Sequence, residues 1–491
     1  MVSINKKRIF SALLLVSSLL YTSCGAEAAV PAETASSSAE ETEVVTEEAP
    51  EPDRLDELGE HDFGGRVFSV LDANDYPDSN HIYATEELVG DIINDGLQKR
   101  DTAISERYNV TLEYETVKGA KTGTDMLKKS VLAGESKYQL CVSILAGGAL
   151  AKIATDGVLA NLCDIPQLQL DAGWWGKLMY ENIRLNGIMY FTSGDISPMR
   201  YNMPFVTYLN EKLLQDFDVD TNFYQVVKEG KWTLDMLHDL TKDCDQDLNQ
   251  DGKMHADDDF YGIVLQYNEL ASSALFIGAG VSLSTIEGDS LTVSLDTEHA
   301  ENVLEKIVGT VSKLNYAEQN DVITKTFMGD RALALIHTTG TAKGTLRNME
   351  SDYLILPMPK FDEAQDTYRS FVNTWTNDYI GIPTTADLEF AGTVTEALDF
   401  YSYKYIRPEV YDLVMKQKAA RDPESADMLD IVFDNMYMDF NCLYSFGNSG
   451  GVLNKCVFDG APLVSSITKI KDKITADAEK LRDQWVSALE G

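Results

Sequence analysis

RVFSVLD at residues 66–72 begins the stretch that decides the fold, in which strand-like and helix-like segments alternate. VTLEYETV (110–117) and YQLCVSIL (138–145) follow as two more segments whose apolar residues alternate or run together, a pattern typical of β-strands. Between the three lie TEELVGDIINDGLQKRDTAISERY (85–108) and DMLKKSVLAG (125–134), which carry apolar residues at helical spacing. Strand, helix, strand, helix and strand in this order predict a parallel sheet covered by helices.

The alternation continues further along the chain. Strand-like segments follow at 204–210, 261–267, 331–338, 353–359 and 378–383, and helical spacing follows at 232–243 and 300–314. From Ala386 onward the pattern is mostly helical, and it ends in SITKIKDKITADAEKLRDQWVSALE. A second α/β unit and a helical C-terminus are therefore predicted.

Composition and charge limit the classes of partner. The chain has 491 residues, enough for two or three domains, and 44% of them are hydrophobic, which supports a sizeable core. Against 41 Lys and Arg stand 79 Asp and Glu, a formal net charge of -38. Nucleic acids and anionic membrane surfaces bind clustered Lys and Arg that displace counterions, so the charge balance argues against both as partners.

Residues 1–23 have the features of an export signal. Basic residues at 6–8 precede the apolar run Ile9–Tyr21, which as a helix of about 20 Å is too short to cross a bilayer core of ~30 Å. Small residues directly before Cys24 resemble a bacterial lipobox, in which the cysteine is acylated and becomes the first residue of the mature chain. This resemblance implies an extracytoplasmic protein, lipid-anchored to the bacterial cell membrane. A plain cleaved signal peptide is the alternative.

The segment after the lipobox is predicted to be a disordered acidic tether over residues 24–62. Residues 25–62 hold thirteen acidic residues and a single base, Arg54, and they have almost no large apolar residues before Leu55. Such a composition does not bury enough apolar surface to offset the entropy lost on ordering. The tether would hold a folded body away from the lipid surface; an acidic binding tail is the alternative.

Five more cysteines follow Cys24 without a CxxC motif or regular spacing, so the sequence does not predict a disulfide scaffold. Cys442 and Cys456 either pair or stay as free thiols. The six histidines form no HExxH motif or close pair, which argues against a high-affinity zinc site.

A calcium-loop motif lies in the second half of the chain, in DLNQDGKMHADD from Asp247 to Asp258. It resembles EF-hand and dockerin-type loops, with Asp, Asn and Asp at positions 1, 3 and 5 and Gly252 at the sharp turn. The position-12 residue is Asp instead of the usual Glu, so its shorter side chain should weaken binding. The predicted ligands of a structural Ca²⁺ are Asp247, Asn249, Asp251, Lys253 through its carbonyl, and Asp258. The alternative is a solvated acidic loop without metal.

Local motifs in the body carry a family resemblance over essentially the whole chain. They are GKWTLDML (230–237), FMGDRALALIHT (327–338), YLILPMPKFDEAQDTY (353–368) and DYIGIPTTADLEFAGTVTEALDFYS (378–402). Their order, after a lipobox and a tether, resembles the extracellular solute-binding proteins of ABC importers, the group similar to maltose-binding protein. The resemblance implies a two-lobed α/β, periplasmic-binding-protein-like (type II venus-flytrap) fold with a helical C-terminus, a monomer, and no catalysis.

In such a fold the chain crosses more than once between its lobes. Lobe one is predicted at 63–195 and 336–378, and lobe two at 200–333 and 380–491. The crossings, which would form the hinge, are expected near 194–203, 334–337 and 379–383.

The resemblance also implies an interlobe ligand, often an oligosaccharide, that is delivered to ABC-transporter permease subunits. Sugar rings present apolar C–H faces, so their sites combine aromatic platforms with polar hydrogen-bonding groups. By analogy with the family, the predicted ligand-binding residues are Trp174, Trp175, Asp195, Tyr201, His337, Trp375 and Asp378. For the tryptophans, ordinary packing in the core or at the hinge is the alternative, and for His337 a structural hydrogen bond.

Motifs of the common enzyme classes are missing from the sequence, which has no P-loop, no GxGxxG after a strand and no GxSxG elbow. Carboxylates are abundant, so a glycosidase pair is not excluded by sequence. The family resemblance implies a substrate-binding lipoprotein of an ABC importer that captures a small solute, with a carbohydrate favoured. A secreted glycoside-active enzyme or a surface adhesin is the alternative.

Overall fold

A computed structural model describes residues 54–76, 82–88, 90–145, 148–255, 257–288, 290–311, 320–414 and 424–490. The strands are β1 Arg66–Asn74, β2 Val110–Lys118, β3 Leu140–Ile144, β4 Phe205–Asn210, β5 Tyr261–Leu265, β6 Ser284–Glu287, β7 Ser290–Val293, β8 Ala332–Thr338, β9 Tyr353–Pro357, β10 Ser370–Phe371, β11 Asp378–Gly381 and β12 Met436–Tyr437.

The strands are accompanied by a larger set of helices. The α-helices are α1 Ile92–Tyr108, α2 Ala120–Leu132, α3 Ala149–Thr155, α4 Lys177–Ile183, α5 Glu211–Asp216, α6 Phe223–Lys228, α7 Leu234–Thr241, α8 Glu269–Gly278, α9 Glu298–Val311, α10 Asn320–Met328, α11 Gly340–Lys343, α12 Leu388–Tyr405, α13 Arg407–Val414, α14 Glu424–Asp434, α15 Phe440–Tyr444, α16 Ser449–Asp459 and α17 Leu463–Glu490. Short 3₁₀ turns include Arg54–Leu58, Pro198–Asn202 and Phe446–Asn448. Among the described helices, none is both long and apolar enough to cross a membrane.

The first sheet has the strand order β11-β3-β1-β2. β1 pairs in parallel with β2 and with β3, and β11 closes the sheet as an antiparallel edge strand. The second half of β1, from Val70 to Asn74, is buried, which is expected for a central parallel strand covered by helices on both faces. This sheet confirms the strand, helix and strand alternation predicted from residues 66–145.

The second sheet has the order β5-β8-β4-β9. β5 and β8 are parallel, whereas β4 runs antiparallel to both of its neighbours, β8 and β9. Two smaller sheets accompany it, the hairpin β6–β7 and the parallel pair β10–β12. The chain therefore contains two α/β lobes, each built on a four-stranded sheet.

The strand pairing corrects the predicted lobe boundaries. The sequence pattern predicts residues 336–378 in lobe one, but β8 and β9 pair with β4 in the second sheet. Residues 380–491 were assigned to lobe two, but β11 pairs with β3 and α12 packs against α1, both in lobe one. The segment 334–337 lies inside β8 and is not a crossing.

Two segments cross between the sheets side by side, and we call them the crossing segments, 195–204 and 372–377. At the lobe-two end Pro204 bridges Val372, and at the lobe-one end Thr192 bridges Ile380. The Asn373 N–H also donates to the Met203 carbonyl at 2.9 Å. The predicted crossing at 194–203 thus coincides with the first of them, whereas the second precedes the predicted 379–383.

The C-terminal end of the predicted tether, from Arg54 onward, is packed against the folded body, although its composition predicts disorder. Leu55 in the turn Arg54–Leu58 is fully buried, and Arg107 of α1 forms an ion pair with Asp56 at 2.8 Å. The ring of His61 stacks on Phe63. One buried leucine and these contacts order a segment that looked uniformly acidic. Cys24 and the rest of the tether prediction lie outside the described residues.

The cysteines of the described chain are all free thiols. Cys442 and Cys456 therefore do not form a disulfide in this structure, which leaves the free-thiol alternative. Burial raises the pKa of Cys141 to about 12, so its thiol stays protonated.

Candidate functional site

The crossing segments bring one edge of each sheet together, and we call this region the interlobe edge. In the first sheet it consists of the carboxyl ends of β1, β2 and β3 and the start of β11. In the second sheet it consists of the carboxyl ends of β5 and β8 and the start of β4, where Phe205 pairs with Thr338. Open α/β sheets bind ligands in the crevice outside the carboxyl ends of their strands, so the interlobe edge is the candidate site.

Trp375 is the most exposed tryptophan of the described chain and lies in the middle of the second crossing segment. Its side chain is 47% exposed, which is unusual for the largest apolar residue type. Its backbone is fixed by a turn, since the Trp375 N–H donates to Asn373 Oδ1 at 3.0 Å. Trp375 is also one of the residues that line a small recess next to the start of α8 and the segment that joins α15 to α16. Trp375 therefore presents an aromatic surface at the interlobe edge.

A second exposed aromatic residue follows β1 at the same edge. Tyr76 is 50% exposed, and its N–H donates to the side chain of Asn74, the last residue of β1. Sequence reasoning missed Tyr76, although its place directly after the carboxyl end of a central parallel strand was a usable signal.

Asp378 lies at the interlobe edge but beneath its surface, with only 2% exposure. Its carboxylate accepts hydrogen bonds from Asn74 Nδ2 at 3.2 Å and from the hydroxyl of Ser197, which belongs to the first crossing segment. Asp378 therefore connects the end of β1, the start of β11 and a crossing segment. In this structure its role is to support the hinge.

Asp72 is a second buried carboxyl on β1 near Asp378. Burial and the charge of Asp378 raise the pKa of Asp72 to about 7, and burial raises the pKa of Asp378 to about 6. Thr116 donates to Asp72 Oδ2 at 3.4 Å, while Asp72 Oδ1 has no hydrogen-bond partner in the described part of the chain. The hinge therefore contains two carboxyl groups whose pKa values are raised towards neutrality.

No protein-family model and no curated protein sequence matches the chain. Among solved structures it is similar to a cyclo/maltodextrin-binding protein complexed with maltotetraose, at 13% identity and a TM-score of 0.52, covering 86% of this chain and 97% of that one. It is also similar to an ABC transporter solute-binding protein from Thermotoga lettingae TMO bound with alpha-D-tagatose, at 14% identity and a TM-score of 0.50, covering 85% and 100%.

This chain has the fold of an ABC-transporter solute-binding protein. The predicted two-lobed α/β fold with a helical C-terminus is thereby confirmed. At 13% and 14% identity the likeness concerns the fold alone and assigns no residue of this chain to a ligand site.

The adjacent tryptophans Trp174 and Trp175 are not ligand platforms, which corrects the prediction for both. They are 5% and 1% exposed, and both indole N–H groups donate to the carboxylate of Glu396 on α12, each at 2.8 Å. The Gln169 N–H donates to the same carboxylate at 3.0 Å. Three donors satisfy one buried carboxylate, so this cluster fixes α12 to the 169–175 loop and offers no ring face to a solute.

Asp195 and Tyr201 are also interior residues, and the prediction that they contact ligand is corrected. Asp195 is 1% exposed and forms a buried ion pair with Arg200 at 2.7 Å. Tyr201 is 1% exposed and packs edge-on against Phe433. Both residues lie within the first crossing segment, but their side chains are buried in the protein.

His337 lies next to the carboxyl end of β8 and therefore near the interlobe edge. Its Nδ1 accepts a hydrogen bond from the Thr338 N–H at 2.9 Å and contacts the Thr341 hydroxyl. Burial lowers the pKa of His337 to about 4, so the ring is neutral at physiological pH. These contacts match the structural hydrogen bond that was the alternative to ligand binding.

In the predicted calcium loop, the side chains accept hydrogen bonds from backbone N–H groups of the same loop. Asp247 accepts from the N–H groups of Gln250 and Gly252 at 2.6 and 2.8 Å. Asn249 and Asp251 each accept from the N–H two residues further on, both at 2.9 Å. Among the described residues, no group of three or more His, Cys, Asp or Glu side chains is placed to hold a metal ion. Calcium binding remains a proposal for this loop.

Two residues of the recess under Trp375 escaped sequence reasoning altogether. They are Glu269, the first residue of α8, and Asn441 on α15. Neither stands in a motif, and only the folded chain brings them to the same recess as Trp375. The glycine-rich run FGNSGG at 446–451 indicates a turn, but it does not indicate that Glu269 and Asn441 lie beside that turn.

Proposed function

We propose that this protein is an extracytoplasmic, membrane-anchored solute-binding lipoprotein of an ABC importer. It captures a carbohydrate between its lobes and delivers it to the permease subunits of the transporter. The observation that carries the proposal is Trp375, an exposed indole on a crossing segment of a solute-binding fold. The solved structures with this fold hold maltotetraose and alpha-D-tagatose, which favours a sugar here.

The chemistry of an indole platform suits a sugar. The C–H faces of a pyranose ring are flat and apolar, whereas its rim carries hydroxyl groups. An indole that is half exposed in the free protein loses little side-chain entropy when a ring stacks on it. Tyr76 at the same edge supplies a second aromatic surface from lobe one.

Closure of the lobes supplies the signal to the transporter. A ligand shifts an open–closed equilibrium only if it binds the closed state better, so it has to contact both lobes. The two crossing segments are short and joined by backbone bridges at both ends, which suits a hinge between two rigid bodies. A solute on Trp375 lies at this hinge and is within reach of both lobes.

The membrane anchor in this proposal is the acylated Cys24. The first described turn begins at Arg54, so about 30 residues separate it from the lipid. A flexible chain of that length has a root-mean-square reach of roughly 30 Å, and its repelling acidic residues extend it further. The body is thus free to dock on a permease while it stays attached to the membrane.

A glycoside-active enzyme, the alternative function, is disfavoured by the buried carboxyls. Hydrolysis needs two carboxyl groups that reach the glycosidic bond from opposite sides. Asp72 and Asp378 have the raised pKa values that such chemistry uses, but they are 1% and 2% exposed. Their position favours a role in the hinge over one in catalysis.

The proposal is tested by a thermal-shift screen of the purified protein against mono- and oligosaccharides, with peptides as the competing class. A ligand at 100 times its dissociation constant adds about 2.7 kcal/mol to the free energy of unfolding. The proposal expects a stabilising sugar and a smaller radius of gyration in small-angle X-ray scattering when that sugar saturates the protein. Stabilisation by peptides alone, or an unchanged radius of gyration, would contradict it.

A further inference from the structure

A group of buried carboxyl side chains lies where the first crossing segment leaves lobe one. Asp195 is the first residue of that segment, and Glu396 and Asp399 lie one turn apart on α12. None of the three is more than 1% exposed. Three acidic groups are thus buried at the root of the hinge, where each needs donors or a cation to compensate its charge.

Glu396 and Asp195 are compensated to different extents. The Glu396 carboxylate accepts from three N–H donors of the 169–175 loop. Asp195 is compensated on one oxygen, because Arg200 forms an ion pair with its Oδ1 at 2.7 Å. Its Oδ2 is buried and has no hydrogen-bond partner within the described residues. Half of the Asp195 carboxyl is therefore without a donor.

Asp399 lies against the backbone on both sides of Asp195. The Ile196 N–H donates to Asp399 Oδ1 at 2.7 Å, and a Cβ atom placed on Gly194 would lie 2.3 Å from each oxygen of the Asp399 carboxyl. Asp399 Oδ2 is buried without a hydrogen-bond partner, and the carboxyl forms no ion pair in the part of the chain that the structure describes. Half of this carboxyl also lacks a donor.

The two half-compensated carboxyls complement each other only if one of them carries a proton. Two ionised carboxylates offer acceptors alone, and they repel each other in surroundings of low dielectric constant. With one proton, one oxygen becomes a donor, and the pair keeps a single negative charge that the Arg200 guanidinium balances. The proton belongs on Asp399, because Arg200 stabilises the charged form of Asp195 directly.

The charges around Asp195 do not change this balance. Arg407 on α13 and Asp434 on α14 act on Asp195 in opposite directions, and they form an ion pair with each other at 2.6 Å. Burial raises the pKa of Asp195, whereas Arg200 and the Tyr201 hydroxyl oppose that rise. Asp195 is therefore the member of the pair that is better able to hold a charge.

The groups around Asp399 favour its protonated form. Burial and then the charge of Asp195 raise the pKa of Asp399 well above its ordinary value, and Glu396 one turn away adds to the rise. Arg200 is the group that opposes it.

A buried guanidinium of α1 reaches the same region but is already compensated. Arg100 donates to the Ile196 carbonyl at 3.1 Å and to the Ser402 hydroxyl at 3.3 Å. It also forms an ion pair with Asp101 at 2.7 Å. Its charge is therefore balanced on α1 itself.

We infer that Asp195 and Asp399 share one proton at the root of the first crossing segment, which makes the hinge sensitive to pH. The proton joins α12 of lobe one to the start of the segment that leads to lobe two. Its loss at alkaline pH leaves two like charges buried at this point and loosens the join. The inference goes beyond the proposed function, because it concerns the protein without a ligand.

Infrared spectroscopy of the ligand-free protein at pH 8 tests the shared proton, because a protonated carboxyl and a carboxylate absorb at separate frequencies. The difference spectrum between wild type and Asp399→Asn is expected to show the band of a protonated carboxyl. Asp195→Asn is expected to lose the same band, since Arg200 is then available to an ionised Asp399. The control is Asp387→Asn at the start of α12: Asp387 is ion-paired with Arg66 at 3.0 Å, so its removal should change the carboxylate band only.

Urea denaturation gives an independent readout. The raised pKa of Asp399 stabilises the folded protein at low pH, and this contribution is lost as the pH rises from the ordinary pKa through the raised one. The urea midpoint of the wild type should therefore fall more steeply from pH 5 to pH 8 than that of Asp399→Asn. An Asn at position 399 imitates the protonated carboxyl at every pH, since its oxygen accepts from Ile196 and its amide group donates in place of the proton.

Several results would overturn the inference. One is a difference spectrum between wild type and Asp399→Asn that contains a carboxylate band alone, because both groups are then ionised. Another is a protonated-carboxyl band that persists in Asp195→Asn, because Asp195 then has no part in holding the proton. Should Asp195→Asn fail to fold, equal midpoint slopes for wild type and Asp399→Asn overturn the inference, and so does an Asp399→Asn protein that does not fold at pH 8. None of these results bears on whether the protein binds a sugar.

Discussion

The indole N–H of Trp175 donates a hydrogen bond of 2.8 Å to Oε2 of Glu396, across 221 positions of sequence. Trp174 donates to the other oxygen of the same carboxylate, also at 2.8 Å. Because the carboxylate is fully buried, these bonds also satisfy a charge that would be costly to leave unpaired. The pair of tryptophans beside the hinge is therefore part of the scaffold on which the site is built.

The first prediction tests whether Trp175 stabilises the fold or contacts the ligand. Trp175→Phe removes one donor from the buried Glu396 carboxylate and should lower the free energy of unfolding by about 1–3 kcal/mol. It should leave sugar affinity within twofold of wild type, because the residue has no face in the cleft. Urea denaturation and calorimetry measure the two quantities. A variant of normal stability that no longer binds sugar would place Trp175 in the site.

The second prediction concerns pH. The pKa of Asp72 is raised to about 7 from an ordinary value of 3.8, so the folded protein holds this proton more tightly than the unfolded chain. The stabilising contribution is thus present below pH 4 and is lost as the pH rises from about 4 to 7. Asp72→Asn should remove this slope and raise stability at pH 8, by an amount on the order of 3 kcal/mol.

Denaturation curves at pH 5 and pH 8 measure that slope. Asp171→Asn serves as the control, because Asp171 is an exposed aspartate outside the hinge. Equal slopes for wild type and Asp72→Asn would show that the Asp72 carboxyl is not held in its protonated form.

The third prediction tests calcium in the loop Asp247–Asp258. If the loop binds calcium, a chelator should lower the melting temperature of the wild type, and Asp247→Ala combined with Asp251→Ala should abolish that sensitivity. The double variant should also melt at the temperature of the chelated wild type. Identical melting curves of the wild type with calcium and with chelator would show that the loop is a solvated acidic turn, closed by its own N–H groups.

The fourth prediction addresses the anchor. Cys24→Ala should shift the protein from the membrane fraction to the soluble fraction, because it removes the thiol to which the lipid is attached. Cys163→Ala is a suitable control, since Cys163 is a partly exposed free thiol of the folded body. A Cys24→Ala protein that stays in the membrane fraction would refute the lipobox interpretation.

Local patterns in the sequence predicted the elements well and their partners poorly. β1, β2 and β3 lie where the apolar pattern predicts them, because a strand that is buried in a sheet needs apolar residues along its own length. The residues in and around β8 do not indicate that this strand pairs with β4, so the predicted lobe for β8 is wrong. Strand partners in such folds are decided by tertiary packing over long sequence distances.

The same limit applies to the site. Trp375 was predicted from sequence as a ligand-binding residue just before a crossing, and its exposure agrees with the proposed role. Trp175 was an equally plausible ligand-binding residue by sequence. Its hydrogen bond to the buried carboxylate of Glu396 distinguishes it from Trp375.

Titration of the protein with the best sugar of the thermal-shift screen tests the central claim most directly, by comparing wild type with Trp375→Ala. The control is Leu132→Ala, which truncates a 71% exposed apolar residue at the end of α2, away from the interlobe edge. The account predicts that Trp375→Ala weakens binding at least tenfold, about 1.4 kcal/mol, with the melting temperature of the free protein unchanged, and that Leu132→Ala binds as wild type does. Equal affinity of wild type and Trp375→Ala would contradict the account, because the sugar would then bind elsewhere.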